Sequence, residues 1–235
     1  MQRTHLDLFS GIGGFALACR WAGIETIGFA EIDDYASRVL AKNFPGVPNY
    51  GDVRNVPGSA AAWLVTGGFP CQPFSVAGKQ GGAADDRYLW PEMAGVVERT
   101  RPTWVLAENV PGIIRMELDT VLSDLERIGY TAWPVVVPAC AVDAPHRRER
   151  VWVVANADNT GRKQQRRAVS TQTEYITAEC SSDEWESEFW ESEPDMDRVA
   201  NGVPARVDRL RGLGNAIVPQ VAYQLIQMMI ETEEA

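Results

Sequence analysis

The feature that most constrains the fold of this chain is the alternation of short apolar runs with longer, helically patterned segments along residues 1–155. Short runs rich in β-branched and aromatic residues are typical of buried strands, whereas apolar residues recurring every three or four positions are typical of helices. The predicted strands are His5–Phe9, Ile27–Glu31, Trp63–Phe69, Trp104–Asn109, Trp133–Ala139 and Arg150–Ala155, and the predicted helices are Phe15–Ala22, Asp34–Asn43, Leu89–Arg99 and Glu117–Ile128. This alternation predicts an α/β fold with a mostly parallel sheet and helices on both faces.

The pattern changes after Ala155, where the chain becomes polar and then strongly acidic. Regular patterning resumes near the end, where Pro219 suits the first turn of a helix. Val221, Leu225 and Met228/Met229 form an apolar face on that helix, so we expect it to pack back on the core. The predicted units are an α/β domain at 1–155, a short insert at 156–201 and a C-terminal segment at 202–235.

The net charge of −10 is concentrated in one stretch. Residues 174–197 carry ten carboxylates and no Lys or Arg, and the other 22 acidic residues balance the 22 basic ones. A basic stretch at 147–167 precedes it and contains Arg147, Arg148, Arg150, Arg162, Lys163, Arg166 and Arg167. A local basic stripe can bind phosphates even on an acidic protein.

The four cysteines, Cys19, Cys71, Cys140 and Cys180, are widely and unevenly spaced, which suits neither a disulfide framework nor a zinc site. Only two histidines are present, so no metal is predicted and reduced thiols are expected. No apolar run approaches the length of a membrane span, and no signal peptide is visible. We therefore expect a cytoplasmic protein without a membrane partner.

The glycine turn Ser10–Gly14 follows the first strand and can bring backbone close to a ligand at a helix N-terminus. Glu31 ends the second strand, 20 residues after Gly11, where a carboxylate can accept hydrogen bonds from ribose hydroxyls. The turn lacks the spacing that binds a pyrophosphate, which favours a cofactor with a ribose and no phosphate. A tight turn without a ligand is the alternative.

Cys71 lies between Pro70 and Pro73, after a predicted strand. The prolines restrict the backbone, so the thiol could be a preorganised nucleophile. The alternative is a small buried side chain, which suits Cys19 and Cys140.

Two further motifs can carry chemistry. Glu108 ends a strand and could be a general acid or a loop carboxylate that caps the next helix. Arg148 and Arg150 share one face of an extended chain and suit an anion or a base edge, or else form a solvated surface pair.

In this order, the segments "DLFSGIGGF", "AEIDDYA", "GDV", "GGFPCQPFS", "ENV", "RRERVW" and "GNAIVPQVA" closely resemble the motifs of the DNA cytosine methyltransferases that make 5-methylcytosine. The resemblance covers Asp7–Ala155 and Arg206–Ile230, and the final stretch is most similar to compact phage and prophage members. It implies a Rossmann-like methyltransferase fold dependent on S-adenosyl-L-methionine. It also implies methylation of carbon 5 of a flipped-out cytosine through a covalent cysteine adduct, in a restriction-modification system or in protection of phage DNA.

The resemblance implies a role for each matching residue. Cys71 would be the nucleophile, Glu108 would hold cytosine N3 and the exocyclic amine, and Arg148 would bind O2. Asn109 would brace the Glu108 loop, and Arg150 would support the site. Residues 72–80 would form a loop that closes over DNA. The implied cofactor residues are Phe9, Ser10, Gly11, Ile12, Gly14, Glu31, Ile32, Asp52, Val53, Pro70, Leu89, Asn215 and Ala216; the implied DNA contacts are Gln72, Ser75, Arg147, Arg162, Lys163, Arg166 and Arg167.

The expected partner is double-stranded DNA, with a cognate restriction endonuclease or none, and a monomer is expected. The insert at 156–201 is short for a recognition domain of this family, which predicts short or relaxed sequence specificity. Two alternatives stay open: a tRNA cytosine methyltransferase, because a eukaryotic branch of the family uses the same core on tRNA, and a degenerate subunit that binds or flips DNA without chemistry.

Overall fold

The computed structural model describes residues 2–70, 88–157 and 212–234. Its sheet has six strands in the order β2-β1-β3-β4-β6-β5. The bounds of the strands are β1 Thr4–Leu8, β2 Glu25–Ala30, β3 Leu64–Gly67, β4 Trp104–Asn109, β5 Tyr130–Val137 and β6 Arg150–Ala157.

The sheet is accompanied by the helices α1 Gly14–Trp21, α2 Asp34–Asn43, α3 Trp90–Thr100, α4 Ile113–Met116, α5 Leu118–Arg127 and α6 Pro219–Glu234. Residues 212–215 are also helical. Single 3₁₀ turns lie at Val53–Asn55 and Ala139–Val142. The short helix α4 was not predicted. None of the described helices is long and apolar enough to cross a membrane.

The prediction of an α/β fold with a mostly parallel sheet is confirmed, with one strand reversed. Strands β1, β2, β3 and β4 pair in parallel, whereas β6 runs antiparallel between β4 and β5. The edge position of β5 tolerates Pro134, which has no N–H for a further strand. Strand β6 continues to Ala157, so the predicted insert begins two residues too early, at 156.

Apolar side chains fill both faces of the sheet. Helices α3 and α5 bury Trp90 and Leu125 in the cluster that contains Leu8 of β1. On the other face, α1 and α6 pack together and bury side chains such as Phe15 and Ile226. This packing places the last helix of the chain beside the first, as the apolar face of the final segment predicts.

The apolar face predicted for α6 is partly wrong. Val221 and Met229 are buried, but Met228 is 62% exposed. Only one of the two adjacent methionines can face the core, because neighbouring helical positions are about 100° apart. The division of the chain into three units stays a prediction, since the insert at 156–201 lies almost entirely outside the described residues.

A chain of buried side-chain hydrogen bonds crosses the sheet below the carboxyl ends of its strands. His5 Nδ1 lies 3.0 Å from Thr26 Oγ1, His5 Nε2 lies 2.8 Å from Thr66 Oγ1, and Thr66 donates to Asp7 Oδ1 at 3.0 Å. When Thr66 donates to Asp7, His5 donates from Nε2 and accepts from Thr26 at Nδ1. Burial lowers the pKa of His5 to about 3, which keeps the ring neutral.

Two of the four cysteines lie among the described residues, and both are buried, as the alternative of a small buried side chain predicts. Cys19 is a free thiol, and burial raises its pKa well above the ordinary value.

Candidate functional site

A cavity of about 750 Å³ opens at the carboxyl ends of β1, β2, β3 and β4. Open α/β sheets bind their ligands at this edge. Ten of the residues predicted to contact a cofactor line it: Phe9, Gly11, Ile12, Glu31, Ile32, Asp52, Val53, Pro70, Leu89 and Asn215. The wall also contains Glu108 and Arg150, so the predicted cofactor site and part of the predicted base site share one cavity.

Three predicted cofactor residues do not line the cavity, but their contacts support its wall. The Ser10 hydroxyl donates to the backbone oxygen of Asp7 at 2.7 Å. Gly14 leaves room for Ile217, since a Cβ at Gly14 would lie only 2.7 Å from Ile217 Cγ1. The backbone oxygen of Ala216 accepts a hydrogen bond from Arg148.

The cavity wall also contains residues that the sequence analysis did not assign to it. Tyr35, Gly68, Phe69 and Gly212 all line it. Tyr35 belongs to the segment "AEIDDYA" and follows Glu31 by four residues, so the sequence contained a signal that could have assigned it to the cavity. Gly212 could not have been found by spacing, because it contacts Ile12 only through the tertiary fold.

The glycine turn after β1 has a strained, compact backbone. Phe9 and Gly11 both have positive φ values, 52° and 53°. Gly13 has φ +90°, and a Cβ there would lie 2.9 Å from a ring carbon of Phe44. The turn therefore needs glycine at position 13 both for its backbone conformation and for its close contact with the end of α2.

Glu31 holds two backbone segments of the cavity wall with one carboxylate. Its Oε2 accepts the N–H of Gly11 at 2.7 Å, and its Oε1 accepts the N–H of Asp33 at 2.8 Å. The carboxylate thereby connects the glycine turn to the start of α2. Each oxygen still has a lone pair that can accept a hydrogen bond from a ligand.

Asp52 is the second carboxylate in this wall. Its Oδ1 accepts the N–H of Arg54 at 2.9 Å, and its Oδ2 lies 3.2 Å from the Arg54 guanidinium. Arg54 also pairs with Glu92 of α3 at 3.1 Å. These contacts fix the carboxylate at the rim, although the ion pairs are exposed and contribute little to stability.

Glu108 is a buried carboxylate at the end of β4. Its Oε1 pairs with Arg150 Nε at 2.9 Å, and its Oε2 lies 3.3 Å from where a Cβ on Gly68 would be. Burial raises the pKa of Glu108 to about 7, while the charges of Arg150 and Arg148 oppose this shift. The group can therefore exchange a proton near neutral pH, as a general acid must.

Asn109 connects the ends of β3 and β4. Its side-chain amide donates to the backbone oxygen of Phe69 at 2.9 Å, and its side-chain oxygen accepts the N–H of Val110. Phe69 immediately precedes Pro70, which lines the cavity. The amide thus holds the strand end that leads into the proline-flanked cysteine.

Arg148 has different hydrogen-bond partners from Arg150. Its Nη2 donates to the backbone oxygens of Gly214 and Ala216, both at 2.7 Å. Its backbone adopts φ +30°, which turns this residue out of the extended conformation assumed in the sequence analysis. The extended backbone assumed for this pair is therefore wrong at Arg148, although the charges of both arginines act on Glu108.

The remaining predicted residues fall into two groups. Arg147 is exposed, and its backbone oxygen accepts a hydrogen bond from Ala139. The others lie outside the described residues and stay predictions: Cys71, Gln72, Ser75, Arg162, Lys163, Arg166 and Arg167.

Comparison with protein families finds one family model that covers most of the chain. The model described as C-5 cytosine-specific DNA methylase matches residues 4–195. Among curated proteins, the Type II methyltransferase M2.BsuMI of Bacillus subtilis (strain 168) is 37% identical over 160 residues, which are 64% of this chain and 41% of that protein. The Type II methyltransferase M.HpaII of Haemophilus parainfluenzae is 36% identical over 169 residues, covering 67% of this chain and 47% of that protein. The chain thus spans less than half the length of these relatives.

Solved structures show the same fold. A putative DNA modification methyltransferase encoded within an E. coli prophage is 28% identical with a TM-score of 0.57, covering 66% of this chain and 47% of that one. A mutant of Spodoptera frugiperda DNMT2 is 22% identical with a TM-score of 0.60, covering 76% of this chain and 56% of that one. The predicted Rossmann-like methyltransferase fold is confirmed.

Proposed function

The chain belongs to the C-5 cytosine-specific DNA methylase family, and on this basis we propose that it transfers a methyl group from S-adenosyl-L-methionine to carbon 5 of a cytosine in double-stranded DNA. The observation that carries the proposal is the single cavity described above. The glycine turn, Glu31 and Asp52 form one end of its wall, and Glu108 and Arg150 form the other. A methyl donor and a flipped base can therefore meet within one cavity.

The cavity fits the proposed cofactor in both size and chemistry. Its volume of about 750 Å³ lies within the range of sites for small molecules. Glu31 and Asp52 offer carboxylate oxygens to hydroxyl and amine donors, and Ile32 is a 73% exposed apolar side chain beside them. Ile32 can cover a face of the adenine ring, and Asn215 can contact the donor from the C-terminal side. When bound, S-adenosyl-L-methionine supplies the methyl group that carbon 5 receives.

The proposed chemistry begins at Cys71, whose thiolate forms a bond to carbon 6 of the flipped cytosine. The electrons of the C5–C6 double bond shift to C4–C5, and those of the C4–N3 double bond shift to N3, where Glu108 donates its proton. Carbon 5 is then nucleophilic enough to accept the methyl group, and S-adenosyl-L-homocysteine would be the leaving group. Transfer of the carbon-5 proton to water, return of the N3 proton to Glu108 and cleavage of the carbon–sulfur bond to Cys71 regenerate the thiolate, the protonated carboxyl and the aromatic ring.

The geometry refines the roles proposed for the two arginines. Arg150 pairs with Glu108 and lines the cavity, so we assign to it the contact with the base beside that carboxylate. Arg148 binds backbone oxygens of the C-terminal segment instead, which suits a supporting role.

The biological context is proposed from the same family membership. The enzyme would modify DNA within a restriction-modification system or protect phage DNA from restriction. Its predicted recognition insert is short, so we expect a short or relaxed target sequence. A methylation screen on oligonucleotides that finds a long and strict site would contradict this expectation.

The first experiment uses purified protein, labelled S-adenosyl-L-methionine and mixed-sequence duplex DNA, with Cys71→Ala as the matched variant. We expect label in DNA with the natural protein alone, and the modified base should be 5-methylcytosine. Label that persists with Cys71→Ala would refute the covalent mechanism. Label in tRNA but not in DNA would instead support the alternative substrate, and label in neither would support the subunit without chemistry.

A further inference from the structure

Asn49 lies outside every motif singled out in the sequence, and its side chain connects the two carboxylate-bearing segments of the cavity. We propose that Asn49 is a positioning residue that sets the separation of Glu31 and Asp52 and thereby the affinity for the adenosine part of the cofactor. The proposal rests on the proposed function, since it deepens the role of the same cavity. Asn49 itself does not line that cavity.

The side-chain amide of Asn49 makes four hydrogen bonds. Its Oδ1 accepts the N–H of Glu31 at 3.0 Å and the N–H of Gly51 at 3.1 Å. Its Nδ2 donates to the backbone oxygen of Glu31 at 3.0 Å and to Ser37 Oγ at 3.1 Å. These four bonds use both donors and both acceptor lone pairs of the group.

The orientation of this amide is fixed by its partners. Backbone N–H groups can only donate, so the atom that faces those of Glu31 and Gly51 must be the oxygen. The backbone oxygen of Glu31 can only accept, so the nitrogen must face it. The side-chain amide of Asn satisfies all four partners, whereas the carboxylate of Asp would place an acceptor against the backbone oxygen of Glu31.

The position of Asn49 follows from the way the sheet ends. Strand β2 is an edge strand, and its outer side pairs only briefly, through an isolated parallel bridge between Phe29 and Asn49. Phe29 donates to the backbone oxygen of Pro48 and accepts from Tyr50. Beyond this bridge the backbone ladder stops, and the Asn49 side chain bonds the backbone of Glu31 in its place.

The contacts continue from Asn49 to both carboxylates. Gly51, which Asn49 holds, directly precedes Asp52 and has a φ of +71°. Glu31, which Asn49 holds by its backbone on both sides, fixes the glycine turn through Gly11. One amide therefore sets the relative position of three segments of the wall, namely the end of β2 at Glu31, the 49–52 loop and, through Glu31, the glycine turn. Its loss would let the 49–52 loop move away from β2.

The test measures the affinity of the purified protein for S-adenosyl-L-homocysteine by calorimetry, without DNA. The variants are Asn49→Ala and Asn49→Asp, and the control is Asn43→Ala, an exposed residue whose amide bonds only a helical backbone oxygen, that of Val39. We expect Asn49→Ala to weaken binding about tenfold, because losing several neutral hydrogen bonds displaces both carboxylates. Asn49→Asp should bind at least as weakly as Asn49→Ala, since it loses both donors and places a carboxylate oxygen against the backbone oxygen of Glu31. Asn43→Ala should bind as the natural protein does.

Two readouts separate positioning from a merely structural role. Hydrogen exchange should accelerate at the amides of Glu31 and Gly51 in Asn49→Ala, with global unfolding little changed. In a double-mutant cycle with Glu31→Gln, the effect of Asn49→Ala on binding should shrink, because both changes act through the same carboxylate. Additive losses would indicate an independent structural effect and would overturn the proposal.

The outcomes also distinguish this proposal from the proposed function. If the natural protein binds S-adenosyl-L-homocysteine and Asn49→Ala binds equally well, the positioning role is refuted and the proposed function stands. If the natural protein fails to bind the compound at all, the cofactor assignment fails and the positioning role fails with it. If Asn49→Ala binds about tenfold more weakly and Asn43→Ala does not, the positioning role is supported.

Discussion

At the scale of single residues, the surroundings of Glu108 decide its pKa, which the sequence does not show. The motif places a carboxylate at the end of a strand, but it does not show the pKa of that carboxylate. Burial raises the pKa to about 7, and the neighbouring arginines hold it below the value that burial alone would give. The balance between these two effects makes a protonated carboxyl available near neutral pH.

The pKa of Glu108 should change when Arg150 is replaced. Arg150→Gln removes the charge that lies 2.9 Å from the carboxylate, so the pKa of Glu108 should rise above its value of about 7. A carboxyl whose pKa is raised by folding contributes stability that is fully present below pH 4.5 and is lost as the pH rises through the folded pKa. The free energy of unfolding should be measured from pH 4 to 9 and compared with that of a Glu108→Gln variant. The midpoint of its decrease with rising pH should lie at a higher pH in Arg150→Gln than in the natural protein. An unchanged midpoint would show that the ion pair does not control this titration.

Gly68 provides a second prediction at this scale. A Cβ at this position would lie 3.3 Å from Glu108 Oε2, so Gly68→Ala should push the carboxylate by a few tenths of an ångström. Methylation should slow by about tenfold, because catalytic groups tolerate little misplacement. Thermal unfolding should change little. Gly58→Ala is the matched control, since a Cβ there meets nothing closer than 3.6 Å; equal rates for the two variants would contradict the prediction.

At the scale of secondary-structure elements, the last helix is attached to the sheet by a small polar cluster at its end. Glu233 Oε1 accepts from the indole N–H groups of Trp63 at 2.8 Å and Trp104 at 3.0 Å. Arg3 pairs with Glu233 and Glu234, and its guanidinium lies 5.5 Å from the centre of the Trp63 ring. Neither the apolar pattern of α6 nor that of the strands predicts this cluster.

Removal of the Glu233 carboxylate should loosen α6. Glu233→Ala leaves two indole N–H groups without their acceptor, so the free energy of unfolding should fall by about 2 kcal/mol. Urea unfolding followed by tryptophan fluorescence measures this directly. The exposed Glu231→Ala change on the same helix should cost less than about 0.5 kcal/mol. Similar losses for the two variants would show that the effect does not come from the cluster.

At the scale of the whole molecule, residues from distant parts of the chain close the cavity. The 212–217 segment lies against the glycine turn, where Ile217 occupies the space beside Gly14 and Gly212 contacts Ile12. Arg148 holds the same segment through two backbone oxygens, 66 and 68 residues further along the chain. The end of the chain therefore forms a wall of the cavity.

Replacement of Arg148 should release this wall. In Arg148→Gln the two charge-assisted hydrogen bonds are lost, so hydrogen exchange at residues 214–218 should accelerate in the protein without ligand. Affinity for S-adenosyl-L-homocysteine in the absence of DNA should fall at the same time. Arg147→Gln serves as the control, because the Arg147 side chain is exposed. Normal binding of S-adenosyl-L-homocysteine by Arg148→Gln would leave Arg148 a role with the base alone.

The sequence by itself determined the α/β class, the positions of most strands and helices, and the family. Each depends on residues close together along the chain. Apolar periodicity defines the elements, and short motifs such as "SGIGG" and "PCQPFS" indicate the family within a few positions. The ten cavity-lining residues predicted for the cofactor came from the resemblance to the family, whose motifs are short and local.

Only the tertiary structure decided which distant groups meet. It inserted β6 antiparallel between β4 and β5, paired Glu108 with Arg150, and turned Arg148 toward the end of the chain. It also placed Asn49 between the two carboxylate segments and Glu233 between two indoles. The side-chain contacts among these join residues separated by 18 to 170 positions, apart from the short link between Asn49 and Gly51. Local pattern cannot encode them, because hydrogen-bond partners at such separations are set by how the elements pack.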